Sequence, residues 1–292
     1  MDIRQGAVGN CWFMAAASAL AEKPHRLEKI FLNQDGVVNS KGMYAVNIYT
    51  LGVPHTVIVD DYLPLQQYLE DAPYETIFSL VGDDSSMWGV ILEKAFAKYH
   101  GNYEHLVSGD PRAAARSLNG SPSIQYVHAT TAVTEDSLWQ ELTKHDTADE
   151  MMFLITPGAS DSIVNECGLS NNHAYVVLGA KELSNGDKVV KMRNPWGYER
   201  YKCAYSDDSD LWTPELRQEA GATESVVNDG MFFMKLEDYF SQGLASLISF
   251  DTTDWYYDKF LMLDDNTDSP GGWSWCGSTC TRHILSISSS VA

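Results

Sequence analysis

The chain has few basic residues. Its 20 Lys and Arg stand against 40 Asp and Glu, so the formal net charge is −20 at pH 7. A surface of this sign repels phosphate groups, and we expect no nucleic-acid partner. Long hydrophobic runs are also missing, because no segment stays apolar over the roughly 20 residues that a membrane span needs. With 44% apolar residues, the composition is that of a globular protein with an acidic, solvated surface.

Cysteine is scarce as well, with five residues at positions 11, 167, 203, 276 and 280. An odd number at irregular spacing is typical of a reducing compartment and argues against a disulfide framework. Cys276 and Cys280 have no second ligand pair, which gives little support to a structural zinc site. The first residues also lack the charged-then-apolar pattern of a signal sequence. We therefore expect a cytoplasmic, intracellular protein.

One cysteine stands at the predicted start of a helix. Asn10 is a preferred N-cap residue, an apolar, Ala-rich segment follows it, and Pro24 ends that segment. Cys11 would then lie in the first turn, where unpaired amides and the helix dipole lower the pKa of a thiol. The alternative is an inert core cysteine, which is the usual role of an unpaired Cys.

Four residues along the chain could together hydrolyse an amide. Such chemistry needs a thiolate, a base, a group that orients the base, and an oxyanion donor. Cys11, His173, Asn194 and Gln5 can fill these roles in turn. His173 begins a β-rich segment and Asn194 ends an alternating one, so neighbouring strands could place the two side by side. Trp196 would then cover their hydrogen bond and exclude water.

Sequence motifs that include these residues resemble the calpain family of cysteine proteases. The motifs run in the family's order over roughly residues 2–250, and the resemblance therefore covers most of the chain. The matching segments are 5–12, 59–64, 92–99, 173–175, 192–197, 205–212 and 229–234. The resemblance implies an α+β, papain-like fold of two lobes, helical first and β-rich second, with the catalytic cleft between them.

The resemblance also implies residue roles. Cys11 matches the family's nucleophile, His173 its base, Asn194 the orienting residue and Gln5 the oxyanion donor. Gly109 matches a glycine of the substrate cleft, where an extended peptide would bond the backbone.

Two positions close to the catalytic residues depart from the family pattern. Asn10 stands where the family usually has Asp, which should change the local charge and spare the thiol chemistry. Asn172 stands where the family usually has Gly before the histidine. A side chain there could narrow the cleft, so we count Asn172 among the substrate-binding residues. Trp196, next to the proposed catalytic pair, is also counted among them.

Calcium is the cofactor that the resemblance brings into question, since it assembles the cleft in family members. Calcium prefers several oxygen ligands, usually including carboxylates. At the first family site Asp2 matches a ligand, but Ser86 stands where the family has Glu. Asp83 and Asp84 lie close in sequence and could compensate.

The second family site loses more. Asp207 and Asp229 remain, while Arg200 and Met231 occupy two carboxylate positions. Exchanging an anion for Arg changes the charge by two units and argues against the second ion. We expect that no cofactor is required, with Arg200 pairing with Asp207 or Asp229 as a built-in cation. The competing expectation is a core that never assembles.

Periodicity and composition divide the chain into three regions. Residues 1–108 form the first lobe, mostly helical with two short strands; one helix carries an apolar stripe over 88–99, with Glu93, Lys94 and Lys98 on its solvated side. Gly, Pro and Ser interrupt the pattern from 108 to 123, which marks the boundary to a β-rich second lobe over 109–250. The predicted elements of that lobe are strands at 151–156, 174–180, 188–194 and 231–234 and helices at 135–145 and 236–242.

The region 251–292 faintly resembles the opening of the β-sandwich that follows the protease core in the family. We expect further domains to be missing from this chain. The predicted function is intracellular limited proteolysis of protein or peptide substrates. Two alternatives are a non-proteolytic, calpain-like binding scaffold and a transglutaminase-type amide exchange; Asn194 as a neutral third member, together with Gln5, argues against the latter.

Overall fold

A computed structural model of the chain describes residues 3–33, 38–67, 70–82, 85–128, 130–222 and 228–251. Contacts divide the chain into a compact unit, Met1–Asp251, and a second unit, Thr252–Ala292, which lies outside the described residues. The predicted sandwich-like tail, including Cys276 and Cys280, belongs to this second unit. The division into lobes at 108/109 stays a prediction.

Seven α-helices occur in the described ranges. Their bounds are α1 Cys11–Ala21, α2 Pro24–Ile30, α3 Trp88–His100, α4 Pro111–Asn119, α5 Glu135–Thr147, α6 Pro214–Ala220 and α7 Leu236–Gln242, with a short 3-10 turn at Glu104–Leu106. Helix α1 is buried without interruption from Trp12 to Leu20, because its alanines let neighbouring elements approach closely. None of the described helices is long and apolar enough to cross a membrane.

The strands form one large sheet and three two-stranded pairs. Their bounds are β1 Arg4–Gln5, β2 Met43–Thr50, β3 Val53–Asp60, β4 Leu65–Gln66, β5 Glu75–Thr76, β6 Ser79–Leu80, β7 Ser123–Val127, β8 Met151–Ile155, β9 Ala174–Glu182, β10 Lys188–Arg193, β11 Met231–Lys235 and β12 Ala245–Ser249. The large sheet has the order β11-β10-β9-β8-β12-β7 and is antiparallel throughout. Helices and an antiparallel sheet of this kind make the fold α+β, as expected.

The large sheet has a hydrophobic core on each face. Successive side chains of a strand point to opposite faces. Phe153 and Val176 pack in the core that contains α1, whereas Leu154 and Val177 pack in the core that contains α5. Helix α1 therefore lies against β8 and β9, and its first residue is held beside the start of β9.

Buried polar contacts join the N-terminal segment to the end of β10. Arg193 is 3% exposed, and its guanidinium donates to Ser18 Oγ and to the carbonyl of Ile3, each at 2.8 Å. The backbone amide of Gln5 donates to the carbonyl of Pro195 at 2.9 Å. A buried charge is tolerated only where hydrogen bonds replace water. These bonds fix β1 and α1 next to the segment that follows β10.

One surface prediction for α3 is wrong. Glu93 is 1% exposed rather than solvated, and its carboxylate accepts hydrogen bonds from Ser79 and Asn10. Helix α3 is covered on more than its apolar stripe. Strand β6 and the residue that precedes α1 both contact the face that carries Glu93. Lys98 is exposed as predicted, while Lys94 is half-buried and reaches Asp60.

Candidate active site

His173 and Asn194 lie side by side at the junction of two neighbouring strands. Strand β9 begins directly after His173 and β10 ends directly before Asn194, and the two strands pair with Arg193 opposite Val176. His173 Nε2 is 2.9 Å from Asn194 Oδ1, and both residues are buried. This adjacency is what the strand pattern predicted.

Trp196 fixes and covers this pair. Its amide donates to Asn194 Oδ1 at 3.1 Å, so that atom must be the carbonyl oxygen, and His173 Nε2–H is therefore the other donor. The neutral imidazole then carries its lone pair on Nδ1. The Trp196 ring lies 4.4 Å from the imidazole, centroid to centroid, and shields the bond from water.

Cys11 lies at the start of α1 beside the residues that open β9. The backbone amides of Ala174, Trp12 and Cys11 itself lie close enough to the thiol to lower its pKa. Burial nevertheless raises the pKa of the Cys11 thiol above its ordinary value, the amides lower it, and the charge of Asp161 raises it again. The expected lowering of this pKa is therefore wrong for the free protein, because loss of water outweighs the helix terminus.

The pKa of His173 is shifted in the direction opposite to that of Cys11. Burial lowers the pKa of the imidazole to about 4, against the opposing effects of the Asn194 hydrogen bond and the Asp161 charge. Among the described residues, none forms a hydrogen bond with His173 Nδ1. Taken singly, the thiol and the imidazole of the free protein therefore each favour the neutral form at neutral pH, and His173 Nδ1 can accept a proton.

Gln5 ends strand β1, directly before the loop that leads to Cys11. Its Nε2 donates to the Val8 carbonyl at 2.8 Å, which leaves the second amide hydrogen for another acceptor. The loop depends on Gly6, since a Cβ there would lie 1.7 Å from the carbonyl oxygen of Phe78. Glycine is the residue that permits such close backbone approach.

The two remaining substrate-binding candidates differ in character. Gly109 is exposed, and a Cβ on it would lie 2.3 Å from the ring of Trp12, the residue after the cysteine. Asn172 is exposed and adopts a left-handed backbone with φ of 46°. This conformation suits the glycine that the family usually has there, and Asn is one of the few other residues that adopt it readily.

Two basic side chains lie in the region that matches the second family calcium site. A cavity of about 30 Å³ is lined by Asp207, Asp229 and Met231 together with Lys191 and Arg217. The guanidinium of Arg217 donates to the backbone carbonyl of Asp207. A pocket that already holds two basic side chains does not fit a bound Ca²⁺.

Arg200 does not form the predicted ion pair. In the described ranges no carboxylate pairs with it, and its guanidinium instead lies over the rings of Trp196 and Tyr198, at 5.8 and 5.3 Å from their centroids. A planar guanidinium stacks favourably on aromatic faces. The cation beside Asp207 is Arg217, which sequence reasoning missed because its helix, α6, was not predicted.

A third carboxylate lies close to the same two aspartates. Glu199 accepts a hydrogen bond from the Gly230 amide at 2.7 Å. Burial raises the pKa of Glu199, and the charges of Asp207 and Asp229 raise it further. At the first family site, Asp2, Asp83 and Asp84 lie outside the described residues, and Ser86 accepts at its carbonyl from the Gly82 amide.

A disulfide bond joins the two loops that flank the His–Asn pair. Cys167, in the loop before His173, is bonded to Cys203, in the loop after Trp196, with 5.2 Å between their Cα atoms. The expectation that the cysteine pattern suits a reducing compartment better than a disulfide framework is therefore wrong for these two, because the fold brings together residues that the irregular spacing does not relate. Of the described cysteines, Cys11 has the free thiol.

A cysteine at a helix start beside a hydrogen-bonded His–Asn pair is the arrangement of papain-like thiol hydrolases. Residues 1–245 match the family described as calpain family cysteine protease. The chain belongs to the calpain family of cysteine proteases.

Curated relatives agree with this assignment. Over 243 residues the chain is 29% identical to the calpain-type cysteine protease ADL1 of Oryza sativa subsp. japonica, covering 82% of this chain and 11% of that protein. It is 31% identical to human calpain-14 over 247 residues and 29% identical to the human calpain-2 catalytic subunit over 242 residues, covering 82% of this chain and 34% of each relative. The chain thus spans between about a tenth and a third of these relatives.

Proposed function

We propose that this chain is a calpain-type endopeptidase core that performs limited proteolysis of protein or peptide substrates. The observation that carries the proposal is the buried His173–Asn194 bond under Trp196, with the Cys11 thiol near enough to the amide of Ala174 for that amide to lower its pKa. A scaffold without activity would have no need of an oriented, buried imidazole with an open Nδ1.

In the proposed mechanism Cys11 attacks the peptide carbonyl. His173 Nδ1 takes the thiol proton, Asn194 stabilises the resulting imidazolium through Nε2–H, and Trp196 keeps water from that bond. The amide of Cys11 and the second amide hydrogen of Gln5 hold the oxyanion. His173 then protonates the leaving amine and later activates water for deacylation.

The substrate is proposed to lie along the exposed backbone of Gly109. An extended peptide forms hydrogen bonds to the backbone of a cleft through its own main chain. Such bonds contribute affinity and depend little on the side chains of the peptide. Asn172 would line the same cleft next to His173 and restrict the residues that fit.

We also propose that Arg217 takes the place of calcium at the second family site. Its guanidinium and Lys191 offset the carboxylates of Asp207, Asp229 and Glu199, which would otherwise repel one another. The catalytic residues are then aligned by the protein's own contacts, above all those of Arg193.

Covalent labelling of Cys11 tests the proposed protease. An epoxysuccinyl peptide should modify Cys11 in the wild type, and Cys11→Ala should lower kcat on an unfolded protein substrate by about 10³-fold or more. Peptide mapping by mass spectrometry identifies the modified residue, and a thermal melt checks that the variant is folded.

Two outcomes would count against the proposal. Hydrolysis that survives in Cys11→Ala would place the nucleophile elsewhere. A folded wild type that neither cleaves substrate nor reacts with the label, with or without calcium, would favour the scaffold, which the neutral state of the Cys11–His173 pair would then explain.

A further inference from the structure

Glu93 is a buried carboxylate that the proposed mechanism does not use. It accepts hydrogen bonds from the amide and the hydroxyl of Ser79, each at 2.7 Å, and from Asn10 Nδ2 at 2.6 Å. Burial raises its pKa and these donors oppose the rise. Removing a carboxylate from water is costly unless its hydrogen bonds are replaced, and here three donors replace them.

The partners of Glu93 both lead to the candidate active site. Ser79 in β6 pairs with Gln5 in β1, so this contact bears on the strand that carries the proposed oxyanion donor. Asn10 directly precedes Cys11 in the chain. Glu93 thus fixes the approach to Cys11 from two sides without touching the thiol.

Asn10 behaves unusually for a residue at a helix start. Asn at this position normally caps the helix with its side-chain oxygen and has an extended backbone. Here φ is −112° and ψ is 33°, and no side-chain capping bond is formed to the described amides of α1. Its Nδ2 is taken by Glu93, and its buried Oδ1 has no donor within the described part of the chain.

The absence of a side-chain cap leaves the first amides of α1 for the thiol. The carbonyl of Asn10 accepts from Phe13 and Met14, whereas the amides of Cys11 and Trp12 precede the first intrahelical bond. These two amides are among the groups that lower the pKa of the Cys11 thiol. An Asn10 side chain in the capping position would compete for the amide of Trp12.

We infer that Glu93 is a positioning residue that keeps the Asn10 side chain off the N-terminus of α1, so that the amides of Cys11 and Trp12 serve the thiolate and the oxyanion formed at Cys11. The inference rests on the proposed role of Cys11 as nucleophile. Glu93 acts through Asn10 and not through its own charge, because the carboxylate that acts on the thiol is Asp161.

A double-mutant cycle tests this role. The readout is the pH dependence of Cys11 alkylation by iodoacetamide, followed on the Cys11 peptide by mass spectrometry, with His173, Tyr175 and Asp161 left unchanged. Glu93→Leu should raise the midpoint by about one pH unit, which is about a tenfold loss of thiolate at a given pH. Asn10→Ala, alone or combined with Glu93→Leu, should leave the midpoint near that of the wild type.

Glu93→Gln is the matched control. Its Oε1 can accept from Ser79 while its Nε2 donates to Asn10 Oδ1, so Asn10 stays in place and the midpoint should hold. If Glu93→Leu does not fold, Asn10→Ser replaces it, since Ser is too short to reach Glu93 but caps well. Asn10→Ser should then raise the midpoint relative to Asn10→Ala.

Two results would overturn the inference: a double variant with the same shift as Glu93→Leu, or an Asn10→Ser midpoint equal to that of Asn10→Ala. Either would mean that Glu93 only stabilises the fold. Alkylation needs no substrate, so the cycle can be read even in a protein that cleaves no peptide. Failure of the proposed protease is therefore distinguishable from failure of this role.

Discussion

Burial governs the two groups on which the proposed chemistry depends. It raises the pKa of the Cys11 thiol and lowers that of His173 to about 4. Charging an imidazole with this pKa at neutral pH costs roughly 3 kcal/mol more than charging a solvated one. Taken singly, each group therefore favours its neutral form in the free protein, and the mutual attraction of thiolate and imidazolium opposes this preference.

The lowered pKa of His173 makes stability depend on pH. Between pH 6.5 and about 4 the unfolded chain binds a proton at this residue and the folded chain does not, so stability falls as the pH is lowered through this window. This residue should account for about 2 kcal/mol of lost unfolding free energy between pH 7 and 5. His173→Gln should remove that part of the loss, as measured by urea unfolding at several pH values.

His128, whose pKa burial also lowers, is present in both proteins and contributes equally to each. A His173→Gln variant whose pH dependence matched that of the wild type would contradict the assignment of a neutral, buried imidazole.

Sequence reasoning succeeded for residues defined by strand order and failed for those defined by packing. The alternating segment before Asn194 predicted that it would lie beside His173. The burial of Glu93 was not predictable from helical spacing, because its covering elements come from other parts of the chain. The predicted ion pair of Arg200 was also wrong. The position of a residue in a family motif does not determine the direction in which its long side chain points.

At the scale of elements, the loops before β9 and after β10 carry the site. The disulfide between Cys167 and Cys203 ties these loops together over a sequence separation of 36 residues. Cross-links of this kind stabilise mainly by restricting the unfolded chain. The bond therefore bears both on stability and on the placement of Trp196.

Reduction of this bond should lower the free energy of unfolding by about 2–4 kcal/mol. Denaturant unfolding with and without a dithiol reductant measures the change. A Cys167→Ser/Cys203→Ser variant should match the reduced wild type and show no further response to reductant. Equal stability of the wild type in both buffers would show that the two cysteines are not joined in solution.

Element boundaries were predicted well where the hydrophobic pattern was regular. The strand at β8 and the helix at α7 were placed within a residue of their observed bounds. The sequence pattern does not predict helix α4: residues 108–123, where the pattern indicates a break, contain Asp110, which caps the helix, and Pro111 in its first turn. These residues are start signals for a helix as well as breakers of one, and the pattern alone did not decide between them.

At the scale of the whole molecule, buried hydrogen bonds connect the N-terminal segment to the strands that carry the site. Arg193 joins Ser18 and Ile3 to the end of β10, and Gln5 is bonded to Pro195. The N-terminal segment, α1 and the His–Asn pair are thus connected directly.

If Arg217 replaces calcium at the second family site and the first site needs no ion, excess chelator should leave peptide hydrolysis by the wild type unchanged. Arg217→Met should expose the mutual repulsion of Asp207, Asp229 and Glu199 and lower the Tm, and millimolar calcium should restore part of that loss. Thermal melts of both proteins, with calcium and with chelator, measure this.

Wild-type activity that disappears in chelator and returns with calcium would show that an ion is still required at one of the two family sites, and the melts of Arg217→Met then decide whether it is this one. A variant that melts at the wild-type temperature and ignores calcium would show that Arg217 has no such role.

In the loop that leads to Cys11, the backbone at Gly6 leaves no room for a side chain. A single added methyl group would meet the carbonyl of Phe78 at 1.7 Å, and the main chain on both sides would have to separate. Because the oxygen belongs to backbone, no rotamer can relieve the clash. The loop can therefore tolerate sequence drift at Ala7 or Val8 far more easily than the gain of one carbon at the position between Gln5 and Ala7.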